Sequence, residues 1–270
     1  MAKKIAVIAI HGMGDTDTNY ANPLKENLES MLKPAEWAQI HFDKIWYQDL
    51  LQANQEKLFK RSKSQLDSRF LRKFLLYGIS DAAGLEYSRT KKGSVYEVSQ
   101  KRIFDVMGKA FQALGQQLAP VVMVAQSLGG QVISNYIWDA HKEPVSWGVW
   151  RHQHAGLSED DKKFRRFETL RTLFTTGCNI PIFVGGLPYD EIKPIDKPND
   201  NFKWINYFDE DDVLGWPLKP LSVEYRKLVT DVAINAGRFW ESWNPLSHTR
   251  YWTDKDFLRP LTAHLSKLLK

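Results

Sequence analysis

Ser127 stands in Ala125-Gln126-Ser127-Leu128-Gly129-Gly130, directly after the apolar run Val121–Ala125 and directly before a helical pattern that resumes at Gly129. Small residues around a serine at a strand-to-helix turn let the two elements approach closely and push the hydroxyl out over the sheet edge. A hydroxyl is a weak nucleophile at neutral pH, so nucleophilic chemistry at Ser127 needs a base within reach and a third group to orient that base. Beyond the acidic run Asp209-Glu210-Asp211-Asp212, the histidines are His248 and His264. His264 falls among Leu261, Leu265 and Leu268 at helical spacing, where a structural or surface role is expected, whereas His248 lies in a loop. Four successive carboxylates cannot all be buried beside one imidazole, because like charges at that spacing repel. Only one need turn inward, and Asp212, Asp211 and Asp209 are the candidates. The run also lacks the alternating ligands and closing Glu of a hard-cation loop.

The elements that must position these groups alternate. Lys4–Ile10 is a branched apolar run of the kind buried on both faces of a parallel sheet. Asn22 as cap and Pro23 at the first helical position introduce a helix through Leu24, Leu28, Met31 and Leu32. Gln39–Phe42 reads as a second strand, and Ile103, Val106, Met107, Ala110, Phe111, Leu114 and Leu118 as one helical stripe over Val98 to Leu118, ended by Pro120. Further strands are expected at Leu170–Thr175, Lys203–Phe208 and Leu228–Ile234, and a last helix from a capping Asp254 through Leu268. Strands alternating with helices imply a single α/β domain over 1–270, with a mostly parallel sheet of about six strands covered on both faces. Ligands in such sheets bind beyond the carboxyl ends of the strands. Residues 43–97 interrupt the alternation and read as an inserted helical cap or lid.

With Ala125 in place of the first glycine, the elbow is G-x-S-x-G, and the chain resembles the α/β-hydrolase superfamily, nearest its lipase-like serine hydrolases. The resemblance implies a three-layer α/β/α fold and partners in the order Ser, acid, His, each after a later strand. His248, in Asn244-Pro245-Leu246-Ser247-His248-Thr249-Arg250-Tyr251-Trp252, resembles the base loop. Asp212 matches the family's acid, two residues before Leu214-Gly215 and ahead of Pro217-Leu218, with Asp211 and Asp209 behind it. His11-Gly12-Met13-Gly14 resembles the H-G-x-G oxyanion loop, so the backbone N–H groups of Met13 and Leu128 would form the oxyanion hole. A dinucleotide-loop reading fails, since the third glycine of G-x-G-x-x-G would fall at Asp17. Relative to the full family sheet, the resemblance starts at the strand before the oxyanion loop, so the two N-terminal strands are not expected and about six core strands are. The implied chemistry is hydrolysis of a carboxylic ester, with a small-molecule or lipid-like substrate and neither metal nor organic cofactor. A thioesterase or acyltransferase would use the same triad, and a non-catalytic binding protein could share the fold.

Composition bounds the alternatives. The 270 residues are 43% apolar and 26% charged, enough for a full core. One cysteine, Cys178, excludes an internal disulfide framework and a multi-cysteine zinc site, and a structural role is expected of it. The net charge of +5 comes without a nucleic-acid-binding motif, so no nucleic-acid partner is expected. Apolar runs of six or seven residues do not span a bilayer, and Lys3-Lys4 followed by so short a stretch reads as a buried strand of a cytoplasmic protein rather than a secretion signal. Seven Lys or Arg against one acid between Lys57 and Lys73, with Leu66, Phe70, Leu71, Phe74 and Leu75 at helical spacing, describe a basic amphipathic helix. It packs on the domain as a cap helix or meets an anionic membrane surface as a lid. His141, His152 and His154 read as solvated loop residues, the last two at strand spacing but without carboxylate or cysteine ligands beside them. Of the ten tryptophans, Trp216 and Trp243 lie near Gly or Pro turns, where they could line a cleft.

Overall fold

The computed structural model describes residues 3–13, 16–50, 52–62, 76, 80, 89–142, 147–236, 248 and 250–270. Six strands form one sheet: β1 Ile5–Ile10, β2 Ile40–Ile45, β3 Val121–Gln126, β4 Leu170–Thr176, β5 Lys203–Phe208 and β6 Val229–Ala233. Their order across the sheet is β2-β1-β3-β4-β5-β6, and every pairing is parallel. The helices include α1 Asn22–Met31, α2 Pro34–Trp37, α3 Gln52–Ser62, α4 Val95–Ala113, α5 Leu128–His141, α6 Glu159–Arg165, α7 Ile180–Val184, α8 Val223–Leu228 and α9 Lys255–Leu268.

Alternation along the central strands divides the core into two layers. On one face Ala6, Ile8, Ile10, Val121, Met123 and Ala125 pack with Ile103, Met107 and Phe111 of α4 and Ile133 and Ile137 of α5. On the other, Ile5, Val7, Ala9, Val122 and Val124 meet Leu24 and Leu28 of α1 and Phe257, Leu261 and Leu265 of α9. A strand must be apolar at every position to serve both layers, which is why β1 reads as an unbroken hydrophobic run. The result is a three-layer α/β/α fold around an all-parallel sheet. Buried Asp139 of α5 stitches α4 to α5, accepting hydrogen bonds from Tyr96, from Gln100 Nε2 at 2.8 Å and from Arg89 at 2.9 Å. Among the described residues no helix is long and apolar enough to cross a membrane.

Several boundaries differ from the sequence reading. β2 continues through Asp43 and Lys44 because it is an edge strand, where polar side chains reach water. The strand to Ile45 and the start of α4 at Val95 both fall inside the 43–97 segment. α4 ends at Ala113 rather than Leu118: Gly115 and Gln116 turn left-handed at φ 69° and 60°, and Gln116 N–H closes the helix onto Phe111 O at 2.9 Å. Leu118 is then exposed. α1 begins at Asn22, leaving Ala21 at the cap position. α8 runs to Leu228, so β6 starts one residue later than expected. The stripe Leu66, Phe70, Leu71, Phe74 and Leu75 lies outside the described residues, as do Gly14 and Trp243.

Candidate active site

From β1 the chain moves to β2 on one side and returns to β3 on the other, so the sheet's topological switch point lies between β1 and β3. Loops leaving the two strands there diverge and open a crevice at their carboxyl ends. The register Ile10↔Ala125 brings His11-Gly12-Met13 level with Gln126-Ser127. Ser127 has φ 52° and ψ −125°, in the half of conformational space that L-residues avoid. Its N–H donates to Thr176 O and its carbonyl accepts from Gly130 N–H, both at 2.9 Å, which holds the turn. A Cβ on Gly12 would stand 2.5 Å from Ser127 Cβ, so only glycine lets the β1 loop pass the elbow.

His248 and Asp212 meet across two loops. His248 Nδ1 lies 2.7 Å from Asp212 Oδ2, and both residues are buried. Since a carboxylate accepts, Nδ1 carries the proton and Nε2 is left as an acceptor; Nε2 is itself buried, with no partner among the described residues. Tyr251 O–H donates to the same Asp212 oxygen at 2.8 Å, and Leu214 N–H to Oδ1 at 3.0 Å. Burial alone would raise the Asp212 pKa, but the hydrogen bond from His248, with these two further donors, holds it below its usual value. Asp211 is exposed. Asp209 is buried but otherwise engaged, accepting from Asp211 N–H at 2.9 Å and from Ala236 N–H at 2.7 Å. The loop after β4 makes room for the imidazole: Gly177 has φ +53°, and a Cβ there would lie 3.0 Å from His248 Cε1 and Nδ1.

Ser127, His248 and Met13 line one cavity of about 290 Å³, together with His11, Tyr20, Gln126 and Trp252. Leu128 opens α5, so its N–H belongs to the first turn, where helical partners are lacking. Neither its N–H nor that of Met13 has an acceptor among the described residues. The β1 loop is held by His11, whose Nδ1 meets Gly12 O at 2.7 Å, whose Nε2 accepts Tyr47 N–H at 3.2 Å and whose ring stacks on Tyr47 at 4.1 Å. Burial lowers the His11 pKa to about 4, keeping the ring neutral.

The sequence assigns no role to four further residues of this site: Asn179, Gln126, Tyr251 and Gly177. Asn179 is fully buried at the head of α7 and donates from Nδ2 to Ser127 Oγ at 3.3 Å. Gln126 Nε2 donates to His248 O at 2.6 Å and ties the elbow to the histidine loop. The other histidines lie elsewhere. His264 meets Thr172 Oγ1 at 2.8 Å and is structural. His154 is not a solvated residue: it stacks on Phe104 at 4.3 Å, and its φ of 47° makes the segment a turn rather than a strand. His152 meets Glu97 at 2.9 Å and His141 meets Arg166 O at 2.7 Å. Among the described residues no three His, Cys, Asp or Glu side chains are grouped to hold a metal ion. Trp216 is partly exposed after the acidic run, whereas Trp150, Trp204 and Trp252 are buried.

No protein-family model matches the sequence, and no curated protein is similar to it. Among solved structures, the chain is similar to one described as the crystal structure of esterase PE8, at 11% identity and a TM-score of 0.45, over 99% of this chain and 94% of that one.

Proposed function

We propose that the protein is a serine hydrolase that cleaves carboxylic esters through an acyl-enzyme. Ser127 Oγ attacks the ester carbonyl while His248 Nε2 takes its proton, and Asp212 holds the imidazole in the required tautomer. The amides of Met13 and Leu128 receive the developing oxyanion. His248 then passes the proton to the departing alcohol, and water repeats the sequence to release the acid. Every group these steps call on is a side chain or backbone amide of this chain. A small-molecule or lipid-like ester is the substrate class this reading carries. The observation that supports it most is the strained backbone of Ser127 at the switch point, on the same cavity as a histidine already oriented by a buried carboxylate. Strain of this kind costs on the order of 1–3 kcal/mol and persists where surrounding contacts impose it.

Intact-mass analysis after incubation with a fluorophosphonate tests this directly. One adduct on the wild type and none on folded Ser127→Ala is the expected result. No adduct on folded wild-type protein would overturn the reading. A panel of esters and thioesters of graded acyl length, followed on the same two proteins, then ranks leaving groups and chain lengths.

A further inference from the structure

Asn179 is completely buried, is not among the residues lining the cavity, and places Nδ2 3.3 Å from Ser127 Oγ. Among the described residues its own Oδ1 is buried with no partner, as is His248 Nε2. Among the described residues, the one side-chain hydrogen bond of the Asn179 amide therefore goes to the Ser127 oxygen, as a donor that takes no proton from it. A buried polar group is not held in this way without consequence for the atom it faces.

We infer that Asn179 is a further catalytic residue, whose N–H favours departure of Ser127 Oγ during deacylation. The inference rests on the serine-hydrolase reading above and extends it. In the free enzyme, and in the transition states on either side of the acyl-enzyme, Oγ is a hydroxyl or carries partial negative charge and accepts well. In the acyl-enzyme it is the bridging oxygen of an ester, a poor acceptor. The hydrogen bond is thus worth similar amounts in the free enzyme and in the acylation transition state, and cancels from acylation. It is weak in the acyl-enzyme and regained in the deacylation transition state, where it lowers the barrier. The step balances as follows. Water adds to the acyl carbonyl and gives a proton to His248 Nε2. The tetrahedral intermediate then collapses, the C–Oγ bond breaks, its electron pair stays on Oγ, and Oγ takes the proton from His248 while Asn179 N–H remains donated to it.

The test uses Asn179→Leu, close in volume but without a donor, and Asn179→Asp, of the same shape but an acceptor only. Folding is checked by circular dichroism and by fluorophosphonate adduct formation. The acyl-enzyme formed from a p-nitrophenyl ester is followed by rapid-quench intact mass. For Asn179→Leu the decay of the acyl-enzyme is expected to slow about tenfold, with kcat/KM, which reports acylation, within about threefold of wild type. kcat and KM then fall together wherever deacylation limits turnover. For Asn179→Asp both steps slow, because the carboxylate competes with His248 for the Ser127 proton. Wild-type decay of the acyl-enzyme in either folded variant overturns the inference, as does a loss in kcat/KM for Asn179→Leu as large as the loss in decay. Those outcomes leave the serine-hydrolase reading intact, whereas a wild type without adduct or acyl-enzyme overturns both.

Discussion

At the scale of single residues, the acidic run shows how position decides chemistry among identical side chains. Asp212 bonds to His248, Asp209 ties Asp211 to Ala236 through their backbone amides, and Asp211 points to solvent. Asp212→Asn is expected to lower kcat by about 10³–10⁴-fold, because an amide leaves the imidazole free to take the wrong tautomer; Asp211→Asn should stay within about twofold. Steady-state kinetics on an activated ester checks both, and equal losses would refute the assignment. His11 gives a second prediction, in stability rather than rate. Its folded pKa of about 4 lies below the unfolded value of 6.5, so unfolding takes up a proton between them. The stability it contributes is complete above pH 6.5 and is lost as pH falls towards 4, amounting to about 2 kcal/mol between pH 7 and pH 5. Urea unfolding at those two pH values should show this slope, and His11→Gln should remove it. Ser127 was legible because its neighbours in sequence are also its neighbours in the turn. Asn179 and Tyr251 were not, because their partners lie 52 and 39 residues away and only the folded sheet brings them together.

At the scale of elements, most strands and helices could be read from apolar spacing, and the departures occur where something other than burial sets the boundary. The polar half of β2 is tolerated because that strand is an edge, and the early end of α4 follows from a left-handed turn at Gly115 and Gln116. Asn179, at the head of α7, offers no side-chain cap to its own helix; its amide faces Ser127 instead. The loop joining β4 to α7 carries a sharper requirement. Gly177→Ala would force a side chain into φ +53° and against the rings of Tyr251 and His248. The backbone conformation alone should cost about 1 kcal/mol, and displacement of the imidazole should lower kcat/KM at least about tenfold. Chemical unfolding and kinetics on the one variant measure both effects, and a change in stability without a change in rate would show that the ring does not depend on this loop.

At the scale of the whole molecule, an all-parallel sheet has each pair of neighbouring strands joined through a crossover, so the groups of the site arrive from the carboxyl ends of β1, β3, β4 and β5 and from the segment after β6. The site is assembled from short segments far apart in sequence, and its geometry reports on the integrity of the sheet. Cys178 makes that integrity observable. It is the chain's single thiol, fully buried, with its pKa pushed up to about 12 by burial. A Cβ on Gly130 of α5 would come within 2.7 Å of its sulfur, so the thiol sits where the helix that follows Ser127 meets the loop after β4. An alkylating reagent can reach it only when that contact opens, and native labelling should be slower than labelling in urea by more than about a thousandfold. The native sequence therefore carries a built-in clock for breathing of the scaffold around Ser127, readable by mass without an introduced probe.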